Sequence, residues 1–244
     1  MKTVFKFVAV GALAMALAPS AEAAKYKVMD VKGGGSVKGK VSLGGAKAQS
    51  KSYTISKNPE VCGSGNRDVP FVRANGDALL DAVVYLDKVK EGKSFPSGTK
   101  KITMDQAKCA FAPYLSVMQN GGELEAVNSD PVLHNIHTYE LIGRARRTVM
   151  NVSQPEKGNI VKKKIKLRKG TAMKVECDAH DFMHAFVFVA KNPYYAVVGK
   201  DGGFEIKDVP PGKYTIKVFH GVLGEKKGTV EVKGGGAATV NLAY

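Results

Sequence analysis

Hydrophobic and polar residues alternate with period two along most of the chain. Residues 25–43, KYKVMDVKGGGSVKGKVSL, include Gly35-x-Val37-x-Gly39-x-Val41, a period-two pattern of half-buried strands among lysines. Residues 102–113 and 115–128 predict two further alternating strands around a Gly121-Gly122 turn. In 159–167, NIVKKKIKL, Ile and Leu alternate with Lys, and the three consecutive lysines read as a solvated strand face. Residues 171–177 predict another strand. Residues 185–190 are apolar throughout, as expected of a strand buried on both faces. Residues 78–86, ALLDAVVYL, fit helix or strand by periodicity, and the β-branched and aromatic end favours strand.

Turn chemistry separates these runs. Residues 46–73 are polar, carry Asn58-Pro59 and Cys62-Gly63-Ser64-Gly65-Asn66, and read as loop with short extended pieces. Near the C-terminus, Val209-Pro210-Pro211-Gly212 is a tight turn feeding a strand over 214–219. Two more alternating strands flank Gly234-Gly235-Gly236 in 222–242. With little convincing helix in this pattern, the expected class is all-β.

The first residues stand apart. Lys2 and Lys6 form a basic region, 8–17 is a short apolar run, and Ala21-Glu22-Ala23 is a small-x-small site, together the pattern of a cleaved signal peptide over 1–23. A bilayer span needs about 20 apolar residues. The run falls short of that, so the chain is expected to be exported, to the periplasm, the cell envelope or the medium, and not transmembrane. The formal charge is +15, and +14 once Lys2, Lys6 and Glu22 leave with the leader. In an exported protein this balance points to an acidic partner protein or an anionic envelope surface, not to nucleic acid; its plainest use is solubility.

Three cysteines, Cys62, Cys109 and Cys177, leave one over if two pair in an oxidising compartment. Cys177 lies in VECDAHDFMHAFVFV (175–189), as Cys177-x-x-His180-x-x-Met183. A thiolate, an imidazole and a thioether within seven positions are donors that copper prefers, and one more imidazole, offered by His134 in SDPVLHNIH, completes a His₂Cys set with an axial Met. Ligation accounts for the odd cysteine. Cys62 with Cys109 is then the simplest of the three pairings. Zinc competes on Cys177, His134 and His180, with Glu176, Asp178 or Asp181 as a general base, but has no use for Met183. The chain lacks Gly-x-Ser-x-Gly, His-Glu-x-x-His, a phosphate loop and Cys-x-x-Cys-His, so no enzyme activity is expected.

Residues 101–190 resemble the cupredoxins, amicyanin above all, through NSDPVLHNIH and IKL…GTAMKVECDAHDFMHAFVFV. The resemblance implies a Greek-key sandwich with a type 1 copper site for electron transfer. His134, Cys177 and His180 would be equatorial ligands and Met183 axial. Asn135 would brace the ligand loop and aim its amide at the Cys177 sulfur, and His180 would sit at the surface as the electron route. It further implies a redox partner such as a c-type cytochrome or a dehydrogenase. Asp178 and Asp181 depart from the family's proline-rich loop and put its apolar docking patch in doubt. His137 and His184 are expected at the surface or behind the ligands, and His220 as structural.

DGGFEIKDVPPGKYTIKVFH, GSVKGKVSLGG and DALLDAVVYL resemble the carboxypeptidase regulatory-like, transthyretin-like sandwich, a structural or binding module. The expected organisation is this outer sandwich over 24–95 and 193–244, with the cupredoxin-like unit over 96–192 inserted in it, or a tandem arrangement. Copper storage or delivery, and a metal-free module for adhesion or assembly, stand as alternatives to electron transfer.

Overall fold

The computed structural model describes residues 26–244, so the expected signal peptide over 1–23 lies outside the described residues. Among the described residues the chain is all-β apart from one helical turn, Pro59–Cys62. No helix among the described residues is long and apolar enough to cross a membrane.

Four main sheets stack in layers. The first orders Phe111–Ala112, Lys101–Gln106, Glu123–Asn128 and Ile160–Lys164; the second orders Leu115–Gln119, His184–Ala190, Ala172–Glu176, His134–Ile142 and Ala145–Gln154. Between them lies a core that includes Met104, Leu124, Ile136, Ile165, Val175 and Val187. The third sheet orders Tyr195–Val197, Ala82–Leu86, Gly212–His220 and Gly224–Val232. The fourth is built around Gly35–Ser42, paired with Gly203–Val209, Ala78–Leu79, Ala237–Thr239 and Leu242–Ala243. Their core holds Val37, Leu79, Leu86, Tyr194, Ile206 and Val218. It draws on both ends of the described chain, with the first sandwich formed from the residues between.

The two continuous apolar runs explain how the sandwiches join. In the strand His184–Ala190, Ala185, Val187 and Val189 enter the first core. Phe186, Phe188 and Ala190 point the other way, into a junction with Val83, Tyr85 and Phe219. Ala82–Leu86 does the same from the opposite side: Ala82, Val84 and Leu86 face the second core. A strand buried on both faces shows no alternation because each face has its own core. Phe188 sits at the centre, with its ring 4.9 Å from Tyr85 and 6.1 Å from Phe219. Gly221 lies against the ring of Phe186, so close that a side chain there would clash.

Two expectations change. The alternating runs on either side of Gly121-Gly122 do not form a hairpin: Leu115–Gln119 belongs to the second sheet and Glu123–Asn128 to the first, where it runs parallel to Lys101–Gln106. The extended pieces expected within the loop over 46–73 are longer than that and pair with each other, and not all of 24–95 packs in the outer sandwich. Gln49–Thr54 and Asn66–Val72 form an antiparallel hairpin whose Tyr53, Ile55, Val61, Cys62 and Val69 pack on the first core. A disulfide joins Cys62 to Cys109, across 47 positions, and Cys177 is free and buried.

Candidate metal centre

The pairing of His134–Ile142 with Ala172–Glu176 is antiparallel, with His137 opposite Glu176. The start of one strand therefore meets the end of the other, and His134 is brought beside Cys177. The chain then turns back within six residues. The Met183 amide donates to the His180 carbonyl at 3.0 Å and the Cys177 amide to the Met183 carbonyl at 3.4 Å, and His184 begins the next strand. Cys177 and Met183 share the first core.

Three donor atoms converge. His134 Nδ1 and His180 Nδ1 are 3.1 Å apart, and Cys177 Sγ lies 3.9 and 3.8 Å from them. Donors held at about 2.0–2.3 Å from one ion stand about 3–4 Å from each other, so the spacing fits a shared cation. All three residues are buried, with exposures of 0 % for His134, 2 % for His180 and 3 % for Cys177. The outer nitrogens both face acceptors: His134 Nε2 is 2.9 Å from Asp130 Oδ2, and His180 Nε2 is 3.1 Å from Asn58 Oδ1. With the hydrogen of each ring on Nε2, the two Nδ1 lone pairs face each other. Two lone pairs at this distance repel, and a cation between them removes the repulsion.

Electrostatics agree. Burial, helped by repulsion from His134 and Lys57, pushes His180 down to about 4, so its imidazole is neutral at ordinary pH. Burial pushes the Cys177 thiol up, partly offset by the Asn135, Ala179 and His180 amides, so metal uptake must release its proton. For Asp130, burial works to raise the carboxyl. Hydrogen bonds from the Cys109 amide, the His134 ring and the Lys108 amide outweigh it and hold the group below its ordinary range.

Asn135 ties the two halves together. Its amide donates to Cys177 Sγ at 3.4 Å, its side-chain oxygen accepts from the Asp178 amide, and its side-chain nitrogen reaches Asp178 at 3.0 Å. Asp178 also meets His137 Nδ1 at 3.0 Å and Asn151 at 2.9 Å. Its carboxylate is thus an anchor for the ligand loop. It is not a free base, and Glu176 is likewise paired, with Arg146 and Lys174. A second cluster, Cys109 with Asp130 and His134, lacks a thiolate because Cys109 is in the disulfide.

The structure corrects one expectation about the histidines. His180 is not at the surface: the hairpin covers it. His184 is buried as well, its ring stacked on Phe71 at 4.2 Å and its Nε2 3.2 Å from the Tyr114 hydroxyl. His220 is buried in the other sandwich, where its Nδ1 accepts the Val222 and Leu223 amides. Asp130 and Asn58 were missed. Asp130 had a local signal, four positions before His134 in the same motif. Asn58 had only its turn chemistry, 122 positions from His180.

No family model matches the chain, and no curated protein matches it. Solved structures do resemble part of it. A Cu(I) form of an amicyanin mutant aligns at 19 % identity and TM-score 0.30, over 37 % of this chain and 82 % of that one. A reduced Cu(I) form of another mutant at pH 4 aligns at 19 % identity and TM-score 0.30, over 40 % and 87 %. A reduced amicyanin mutant aligns at 18 % identity and TM-score 0.31, also over 40 % and 87 %. The class that the fold and the site themselves define is a two-sandwich β protein with a buried His₂Cys cluster.

Proposed function

We propose that this chain is an exported copper protein whose cupredoxin-like sandwich transfers single electrons. The observation that carries the reading is the meeting of two imidazole Nδ1 atoms and one cysteine sulfur in a buried cluster, with both outer imidazole nitrogens already engaged. His134, Cys177 and His180 would hold copper and Met183 would be the weak fourth donor. Bound copper supplies a one-electron couple between its cuprous and cupric states, which a two-imidazole, one-thiolate set serves in both forms. The residues' part is to stay still: Asn135 locks the ligand loop to the first histidine strand, so little reorganises when charge changes.

The second sandwich is proposed as a docking or attachment unit. The formal charge of +15 favours an acidic redox partner or an anionic envelope surface. The test is an optical spectrum of copper-reconstituted protein: an intense thiolate-to-copper band is expected, lost in Cys177→Ser. Copper uptake without that band would overturn the reading.

The burial of His180 favours a second reading, copper holding and delivery. It requires preference for Cu(I), transfer to an acceptor protein and no reversible wave at an electrode. A reversible wave would exclude it.

A further inference from the structure

We infer that the hairpin over 49–72 is a built part of the metal centre: Asn58 is a positioning residue for His180, and the Cys62–Cys109 disulfide fastens it. The inference rests on the metal-centre reading above.

Asn58 sits in the left-handed region, φ 51°, at the start of the helical turn. Its carbonyl accepts the Val61 and Cys62 amides at 3.0 and 2.8 Å, so the turn that carries Cys62 is hydrogen-bonded to Asn58 itself. The side-chain nitrogen of Asn58 donates to Glu60 at 3.3 Å. That leaves the side-chain oxygen for His180 Nε2. An acceptor there keeps the hydrogen on Nε2 and the lone pair of Nδ1 toward Cys177.

The hairpin also clasps Phe182, within the ligand loop. Tyr53 meets the Phe182 ring edge-on at 6.4 Å and the Arg67 guanidinium lies 5.0 Å from its centre. Arg67 in turn donates to the Lys108 carbonyl at 3.3 Å.

The other end of the disulfide reaches the other imidazole. Lys108 and Cys109 both have positive φ, 55° and 51°, which aims their amides at the Asp130 carboxylate. The Cys109 amide donates at 2.8 Å to the same Asp130 oxygen that meets His134 Nε2. One covalent cross-link therefore holds together the outer partners of both histidine ligands. Asp130 lies in the His134 motif, and Asn58 lies outside both ligand motifs.

The test uses two substitutions at one position. Asn58→Gly removes the acceptor and keeps a backbone at ease with positive φ; Asn58→Asp keeps an acceptor oxygen. In metal-free protein, nitrogen NMR of the His180 ring should show a single Nε2–H tautomer in the parent and in Asn58→Asp, and a mixture in Asn58→Gly. In copper-loaded protein, release to a chelator should quicken by about 10–100-fold in Asn58→Gly, the range expected for losing a hydrogen-bond partner behind a ligand, and stay within a few-fold in Asn58→Asp. Cys62→Ser with Cys109→Ser should also quicken release. An unchanged tautomer or unchanged release in Asn58→Gly would overturn the inference. A parent that takes up no copper would overturn the metal-centre reading instead, and the tautomer comparison would still decide the role of Asn58.

Discussion

In the sandwich around residues 101–190, two buried imidazoles turn their Nδ1 atoms toward each other and toward a thiol. In the sandwich built from the two ends of the described chain, one buried imidazole, His220, turns its Nδ1 to two backbone amides at 3.2 Å, and its Nε2 has no partner. Burial acts alike on both: it pushes His180 and His220 down to about 4 and keeps them neutral. Neutrality makes a histidine available as a ligand without making it one. The difference lies in what faces the lone pair. Around His180 the neighbours are Cys177, three positions earlier in the same loop, and His134, at the start of a distant strand. Around His220 they are amides from its own turn, which already use the acceptor.

The contrast can be tested from its largest expected effect downward. Cys177→Ser should abolish the thiolate-to-copper band completely, checked by the optical spectrum of the copper-loaded variant. Cutting the junction that both sandwiches share should come next: Phe188→Ala empties a fully buried site and should cost about 3–5 kcal/mol, read from urea unfolding, while the remaining folded fraction keeps its metal site. Asp130→Asn removes the carboxylate behind His134 and should weaken copper binding by about tenfold or more, measured by chelator competition.

A smaller effect belongs to the second sandwich. His220 is neutral in the folded chain down to pH of about 4 but takes a proton near pH 6.5 when unfolded. The unfolded state thus binds more protons between those values. The stability His220 contributes is complete above about 6.5 and is lost as pH falls toward 4, about 1 kcal/mol between pH 7 and 5 after allowance for screening. Urea midpoints of the parent and of His220→Gln across that range check it, the variant showing the shallower slope. The smallest effect is that of His220→Gln on copper: the band should not change. A change would mean the two sandwiches are coupled through the Phe188 junction, and the contrast between them would have to be redrawn.

How much of this was legible depends on the distance over which each signal acts. Alternation is local, and it marked the strands 35–42, 123–128 and 172–176 because each has one face in a core. The unbroken run at 185–190 signalled two cores for the same reason. The donor types were legible too, since a thiol, an imidazole and a thioether within one loop are a chemical statement that needs no coordinates. Asn58 was not legible as a partner of His180, because a polar residue in a turn has no periodicity and its contact spans 122 positions. Nor was the burial of His180: it depends on a hairpin that, read along the chain, is only polar loop.

The sequence by itself therefore determined the strand-forming pattern and which side chains can serve as donors, while the Cys62–Cys109 bond came from the structure. The pattern and the donors follow from local sterics and from the chemistry of each residue. Only the tertiary structure decided that His134 and His180 share one point in space, that Asp130 and Asn58 stand behind them, and that the hairpin closes the site. The physical reason is that hydrogen bonds and ligand sets act over about 3–4 Å, whereas a periodic pattern records only which face of a strand is buried.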